Sequence, residues 1–567
     1  MNFNNERQFV LDLDQIGLNL SGSSRSLVGA ESMISLNMDY SDESGALTGR
    51  YGTTTVDGKS PFPGPVYELY MAYNNLAKYI IAVCLASYVA SPESGVQKLY
   101  IKKEGTIGWY AMQDITGLAD FTLPFTGNRP RVSFTTAHNP ALGKVVVSGT
   151  DGVNEPFYWD FTITAGPIYR DVTTFHFGTG HLRIHHFVPM PHGDQGAGRL
   201  WAFFRIANMV ELHGSDPNDH RKWVDEGDAI FFQVPQEDFS NPLRAILPIR
   251  DQFIAFNLNS INAIYYTGNA NRPFNYSMIT GDAGTLTNRS LCYWQGNIIF
   301  IDKREPYLFL FDGAQVHPLD PEHKLTKGVE QNVDWLDAAN VTLCMSGDNL
   351  LVNLKQKVYA PGSVAKRCLL VISMGRLNRR GIAHYPASLW SIPANDIINA
   401  AGSTDIGQVY YSDNEANYVR RIMDRYDARI TATPPFYPFG DNNGVGDDDQ
   451  HKVGTARQDV TYRLRTGEFD MGFPGLKKVL MARLEADWEG IPTHLHDCHM
   501  KYAFNGWTTW NQIKFKAIKE IDWVPLAANA YGSTMQVELY WKTDTARPIL
   551  KKLLFSFVPY DIRRMNR

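Results

Sequence analysis

Cysteine is scarce in this chain. Among 567 residues there are five, Cys84, Cys292, Cys344, Cys368 and Cys498, far apart and odd in number. That pattern argues against a disulfide framework, and without a Cys-x-x-Cys pair it carries no zinc signature. Folding in a reducing cytoplasm is expected. A basic excess is also missing: 54 Lys and Arg stand against 59 Asp and Glu, for a net charge of −5. This is not the footprint of a protein that grips nucleic acid through phosphates, although such a balance suits a wall that DNA merely passes. The longest apolar run, residues 79–90, falls short of the ~20 residues that span a bilayer. Residues 1–20 carry no basic stretch followed by an apolar core, so neither a membrane-spanning segment nor a secretion signal is expected. Helical periodicity is nearly absent, with 66–79 and 330–343 the only candidates. There is no GxSxG elbow, no Walker loop and no GxGxxG opening a helix; the "GAG" at Gly196–Gly198 precedes a strand. On these grounds no catalytic residue, cofactor-binding residue or metal ligand is assigned, no cofactor is expected, and the chain is read as not an enzyme.

What is abundant is aromatic. Phe, Trp and Tyr make up 12% of the chain, a composition that favours strands. Residues 294–319 show the pattern: apolar runs at Ile298–Ile301 and Tyr307–Phe311, a charged turn between them, and a closing Asp312-Gly313. That is hairpin grammar. The same form recurs at 76–103, 142–160, from 198 onward, at 250–268, from 346 onward and at 406–424, about seven units in all. Several strands per unit at such spacing is the signature of a β-propeller, whose units cannot bury their sheets alone and stack around an axis. Ordinary β-sandwiches also give evenly spaced strands. The expected fold is all-β: an irregular propeller of about six to eight blades followed by a C-terminal β-sandwich.

The domain organisation follows from one break. Residues 431–454 hold Pro434, Pro435, Pro438, Gly440 and the run Asp447–Asp449, which is loop grammar and is read as a linker. A calcium loop is the sharper reading there, but the EF-hand spacing and its closing Glu are absent. Residues 1–430 are assigned to the propeller, with an insertion possible within 57–175, and 455–567, where apolar and polar residues alternate, to the sandwich.

Four clusters invite a chemical reading. His494, His496 and Cys498 share one face of a strand and are acceptable to zinc, yet no fourth ligand is visible. His176, His181, His185, His186 and His192 could form a metal or pH-sensitive group, but neither HExxH nor a flanking carboxylate accompanies them. The loop at 214–228 holds Asp216, Asp219, Asp225, Glu226 and Asp228; a glycosidase needs two carboxylates facing across a sugar, and a solvated loop is the plainer reading. "SGTDG" at Ser148–Gly152 shares only a little with the aspartate box of sialidase propellers. Trp507, Trp510 and Trp523 are candidate interface anchors or core residues.

The start of the chain resembles a family of bacteriophage virion β-propellers. The elements that carry the resemblance are Gly17-Leu18-Asn19, Gly29-Ala30-Glu31, Asn37-Met38-Asp39-Tyr40 and Gly45 to Gly52 with its Arg50. "RLWAFFRIANMVELHGSDPND", "LPIRDQFIAFNLNSINAIYYTG", the unit ending Phe311-Asp312-Gly313 and "RTGEFDMGFPGLKKVLMARLEAD" are similar to later elements of that family. The fit is looser between Asp57 and Phe175. Members include nozzle or tail tubular proteins of short-tailed phages. The resemblance implies a structural virion protein without catalysis, assembled in the host cytoplasm into the tail. It implies a homo-oligomeric ring, six copies, around double-stranded DNA that passes without tight binding. It also implies contacts to a tail adaptor on the portal side and to fibres or a spike. The alternatives are a phage or secreted propeller that hydrolyses glycans and a general protein-binding propeller. On the tail reading, the acidic loops at 216–228 and 447–449 are expected to face the lumen or open solvent.

Overall fold

The structure is a computed structural model. It describes residues 6–15, 17–18, 31–40, 46–50, 53–56, 62–75, 77–90, 93–104, 108–113, 119–161, 169–170, 176–177, 180–181, 184–188, 199–206, 209–223, 227–234, 241–249, 252–269, 272–304, 307–325, 341–355, 367–375, 386–399, 409–413, 417–422, 441–442, 457–458, 460–490, 498–506, 509–515, 523–543 and 546–559.

Seven antiparallel meanders make the body. Blade 1 is Val66–Asn74, Ala77–Ala90 and Glu93–Lys103, with Tyr110–Ala111 and Thr122–Thr126 both paired to the third strand. Blade 2 is Ser133–Asn139, Lys144–Thr150, Phe157–Trp159 and Tyr169–Arg170. Blade 3 is Ile184–Val188, Trp201–Ile206, Met209–Gly214 and Ile230–Val234. Blade 4 is Leu243–Ile249, Gln252–Asn257, Ile261–Asn269 and Arg272–Thr280. Blade 5 is Leu291–Trp294, Asn297–Ile301, Leu308–Phe311 and Val316–Pro318. Blade 6 is Thr342–Ser346, Asn349–Lys355, Arg367–Ser373 and Ala387–Trp390. Blade 7 is Ala394–Asn399, Val409–Asp413 and Val419–Ile422, and its fourth strand is Thr53–Thr55, from near the start of the chain. The fold is therefore an all-β propeller, with seven blades among the described residues, and each of the seven hairpins read from the sequence is the middle strand pair of one blade.

Alternation along the middle strands explains the stacking. In Asn297–Ile301, Ile298 and Phe300 pack towards blade 4 with Ile254 and Phe256. Ile299 and Ile301, on the other face, pack towards blade 6 with Leu350 and Val352. A strand with both faces covered must be apolar at consecutive positions, and these four residues are fully buried. The ring closes where Ile398, Tyr410 and Val419 of blade 7 share a core with Val66, Ile80 and Cys84 of blade 1. The turn Asp312-Gly313 works as read: Asp312 Oδ1 accepts from the backbone N–H of Ala314 and Gln315, and Gly313 takes φ +99, which favours glycine.

The second unit has two sheets and one core. One sheet orders Met38–Asp39, Leu47–Gly49, Ala546–Pro559, Lys477–Gly490 and Val524–Pro525, with Arg7–Asp12 also on Ala546–Pro559. The other continues the sheet of blade 6, whose Ala387–Trp390 pairs in parallel with Glu31–Leu36, and goes on through Val460–Thr466, Met535–Thr543, Cys498–Phe504 and Asn511–Phe515. Tyr462, Leu464, Val537 and Trp541 from the second sheet meet Leu553, Phe555 and Phe557 from the first, and Leu11, Met38 and Leu47 join them. Arg7–Asp12, Glu31–Leu36, Met38–Asp39 and Leu47–Gly49, assigned from sequence to the propeller, thus join the sheets of the C-terminal strands. The reason is pattern: Arg7–Asp12 is half-covered, and it finds its mate in Lys552–Phe557.

Two other expectations are corrected. Residues 66–79 are not helical: Val66–Asn74 is a strand and Ala77–Ala90 its partner. Tertiary pairing overrides an ambiguous short periodicity there. The stretch 57–175 holds blades 1 and 2. The other helical candidate, 330–343, lies largely outside the described residues, as does most of the linker at 431–454. No helix among the described residues is long and apolar enough to cross a membrane, and the apolar run 79–90 is strand.

Candidate functional site

In a propeller the first strand of each meander lines the axis, and all first strands run the same way, so residues near their starts gather at one end. On the first strand of blade 1 the register shifts between Val66 and Glu68, and on that of blade 7 between Ala394 and Asp396. Bulges of this kind re-aim a side chain. They recur between Ile184 and His186 in blade 3 and between Leu243 and Ala245 in blade 4. In blades 1 and 7 the residue after the bulge is an acid.

Both acids are buried, Glu68 at 3% exposure and Asp396 at 0%. Each stitches blades together. Glu68 Oε2 accepts from Val132 N–H of blade 2 at 2.5 Å. Asp396 Oδ2 accepts from Leu69 N–H of blade 1 at 2.8 Å, and Asp396 N–H donates to Ser412 Oγ at 2.9 Å. Arg289, just ahead of blade 5, reaches across to donate to Asp396 Oδ1 at 2.6 Å and Oδ2 at 2.7 Å. Arg129 Nη1 and Arg131 Nε stand 3.9 and 4.0 Å from Glu68 Oε1, and Arg129 lies 4.1 Å over the Tyr67 ring.

Burial pushes the Glu68 carboxyl above the usual carboxylate range, and the opposing pull of Arg129, Arg131 and the Val132 N–H does not cancel it. Burial likewise lowers Arg131, against the pull of Glu68. For Arg289 burial acts downward, but Asp396 outweighs it and raises the group. A carboxyl held towards its neutral form beside cationic forks can donate a proton or hydrogen-bond an anion.

The residues singled out in the sequence lie elsewhere. Asp216 and Asp219 are buried, not turned to lumen or solvent. Asp216 accepts from the backbone N–H of Asn218, Asp219 and Asp228; Asp219 takes both forks of Arg221 at 2.9 Å. These two fasten the loop through donors inside the fold, whereas Asp228 is exposed. Asp151 of "SGTDG" accepts from Val153 and Asn154 N–H in the same manner. Asp225, Glu226 and Asp447–Asp449 lie outside the described residues, as do His494 and His496. Cys498 is buried in the two-sheet core. Backbone strands are described through His176, His181, His185 and His186, but not their side chains, and His192 is outside. Trp510 lies under the Arg465 guanidinium at 5.0 Å, Trp523 is half-buried, and Trp507 is outside. None of the five cysteines forms a disulfide. Sequence reasoning missed the axial charges, whose signal was one acid at the third residue of a blade's first strand.

No family model and no curated protein matches the chain. Among solved structures, it is similar to the β-propeller domain of the Trilobed protease from Pyrococcus furiosus, with 9% identity, 65% of this chain and 98% of that one covered, and TM-score 0.28. It is similar to an exo-β-1,3-galactanase from Phanerochaete chrysosporium, at 7% identity, 90% and 99% coverage and TM-score 0.28. A mutant Trypanosoma rangeli sialidase with trans-sialidase activity aligns at 8% identity, 89% and 95% coverage and TM-score 0.28. The expectation that the chain is not an enzyme is corrected at this point: several of the similar solved structures are glycoside hydrolases, and the lack of a sequence motif is withdrawn as a reading of function. At these identities and TM-scores the likeness extends to no substrate and no mechanism.

Proposed function

We propose that this chain is a structural component of a short-tailed phage tail, present in several copies around the DNA channel. The observation that supports it is where the residues of the family resemblance lie. Asn37 and Arg50, from two of its elements, meet at the junction of the two units. Asn37 N–H donates to Leu389 O of blade 6, its Nδ2 donates to Thr461 O of the two-sheet unit, and its Oδ1 accepts from Arg50 Nε. A part that transmits load between ring neighbours needs such a fused body, with loops left free for partners. The near balance of charge fits a conduit wall that lets DNA pass. Side-chain-resolution imaging of particles made by the genome encoding this chain tests the reading.

A second reading, a propeller acting on glycans, is favoured by Glu68, a buried acid of raised pKa at the axis end with Asp396 beside it. A general acid needs such a group. Incubation with acidic and neutral surface glycans, followed by a reducing-end assay, tests it. Turnover abolished by Glu68→Gln supports the glycan reading; turnover unchanged by it, or none, counts against it.

A further inference from the structure

Among the described residues, three guanidiniums and two carboxylates meet at the axis, an excess of one positive charge when both carboxylates are ionised. Arg289 is spent on Asp396 and on Ile397 O. Arg129 and Arg131 are not matched in this way. Arg129 Nη1, Arg131 Nε, Arg131 Nη1 and Glu68 Oε1 are all shielded from solvent and have no hydrogen-bond partner among the described residues. The gaps of 3.9 and 4.0 Å between Glu68 Oε1 and the two guanidiniums are ion-pair distances, too long for hydrogen bonds. An unmatched buried donor is costly, more so when charged, and here Arg129 Nη1 and Arg131 Nε both stand within 4.0 Å of the unmatched Glu68 Oε1. A bridging water satisfies such donors as a hydrogen-bond acceptor, but it leaves the excess positive charge uncompensated, which an anion does not.

We propose that this place is a binding site for one oxyanion, a carboxylate or a phosphate group, gripped by Arg129 and Arg131. Guanidinium forks match the paired oxygens of both groups. Glu68 joins as a donor: in its neutral form Oε1–H points a hydrogen bond at the anion, where its ionised form would repel. The high Glu68 pKa makes that form accessible. Anion binding therefore takes up a proton, and affinity falls as pH rises through the Glu68 value. Arg129 and Arg131 each keep 15% of their side-chain surface exposed, so the site is not sealed from solvent. The inference is independent of either function proposed above.

The test uses the full chain and three probes at equal ionic strength: chloride as control, inorganic phosphate, and glucuronate. Phosphate, glucuronate or both should raise the melting temperature above chloride, and the pattern identifies the anion class. Calorimetry in two buffers of different ionisation enthalpy should show proton uptake. Glu68→Gln, whose amide still donates, should bind at least as tightly and with a flatter pH profile. Arg131→Lys keeps the charge and loses the fork, and should bind roughly tenfold more weakly, the loss of about one charge-assisted hydrogen bond. Arg129→Ala should behave likewise, so a fold failure in one variant leaves the other to be read. No shift beyond chloride in the wild type, or an undiminished shift in both arginine variants, overturns the proposal.

Discussion

Asn37 Oδ1 accepts a hydrogen bond from Arg50 Nε at 2.8 Å, and both residues are fully buried, at 0% exposure. The amide of Asn37 is saturated. Its Nδ2 donates to Ser391 Oγ at 2.9 Å and Thr461 O at 2.7 Å, and its oxygen also accepts from Ser391 N–H at 2.8 Å. Its φ of 56° is one that Asn tolerates and Ala does not. Next to this pair Gly49 leaves room for Tyr462, whose ring would stand 2.4 Å from a Cβ, while Tyr462 OH donates to Arg50 O at 2.9 Å. Asn37→Ala should destabilise by about 3 kcal/mol or more, through unmatched buried groups and backbone strain. A double-mutant cycle with Arg50→Ala, read by denaturant unfolding, should give a coupling of about 1–3 kcal/mol. Purely additive losses would show that the two residues do not act together.

Asp216 anchors the loop of blade 3. Asp216→Ala should cost on the order of 2 kcal/mol, since three backbone N–H donors lose their acceptor together. The N–H of Asp228 first, then those of Asn218 and Asp219, hold the Asp216 pKa below its usual 3.8. A depressed value means that the carboxylate's contribution is present above 3.8 and lost as pH falls through the folded value. Melting temperatures of wild type and variant should therefore converge in acid; a gap that widens below that pH would contradict the assignment.

Glu68 predicts the opposite sign. Its folded pKa is raised above 4.5, because burial outweighs Arg129 and Arg131. Its contribution is fully present below 4.5 and fades as pH rises through the folded value. Without added anion, the melting temperature of Glu68→Gln should gain on wild type as pH is raised from 4 towards 8. A constant difference across that range would place the ionised form at no disadvantage in the fold.

The ring is closed by a strand from far away in sequence. Thr53–Thr55 pairs with Arg420–Ile422, and Val56 N–H donates to Val419 O at 2.9 Å. By strand alternation Thr54 is the next donor. Thr54→Pro removes that N–H and should lower the melting temperature by several degrees, as a loss of about 1–3 kcal/mol does. Hydrogen exchange should rise first in Val419–Ile422 and its neighbours in blade 7. Exchange unchanged there would show that the fourth strand does not secure the blade.

Much of the propeller was legible because its middle strands are covered on both faces. Ile298–Ile301 and Leu350–Val352 have to be continuous apolar runs, and such runs stand out in a sequence. Outer strands such as Val316–Pro318, half exposed, leave almost no trace. The N-terminal strands were misassigned because their partners are remote: Arg7 faces Phe557 across nearly the whole chain. The axial site was not legible at all. Glu68, Arg131, Arg289 and Asp396 come from four separate stretches, and only closure of the ring brings them together.

The tail assignment is tested most directly by imaging particles made by the genome that encodes this chain, at a resolution that separates strands. The account predicts density for the seven-bladed ring and its two-sheet unit in several copies around the DNA channel, with the Asn37 junction intact in each copy. Particles that lack the chain, with the protein found instead free in the lysate and cleaving surface glycans through Glu68, would contradict it.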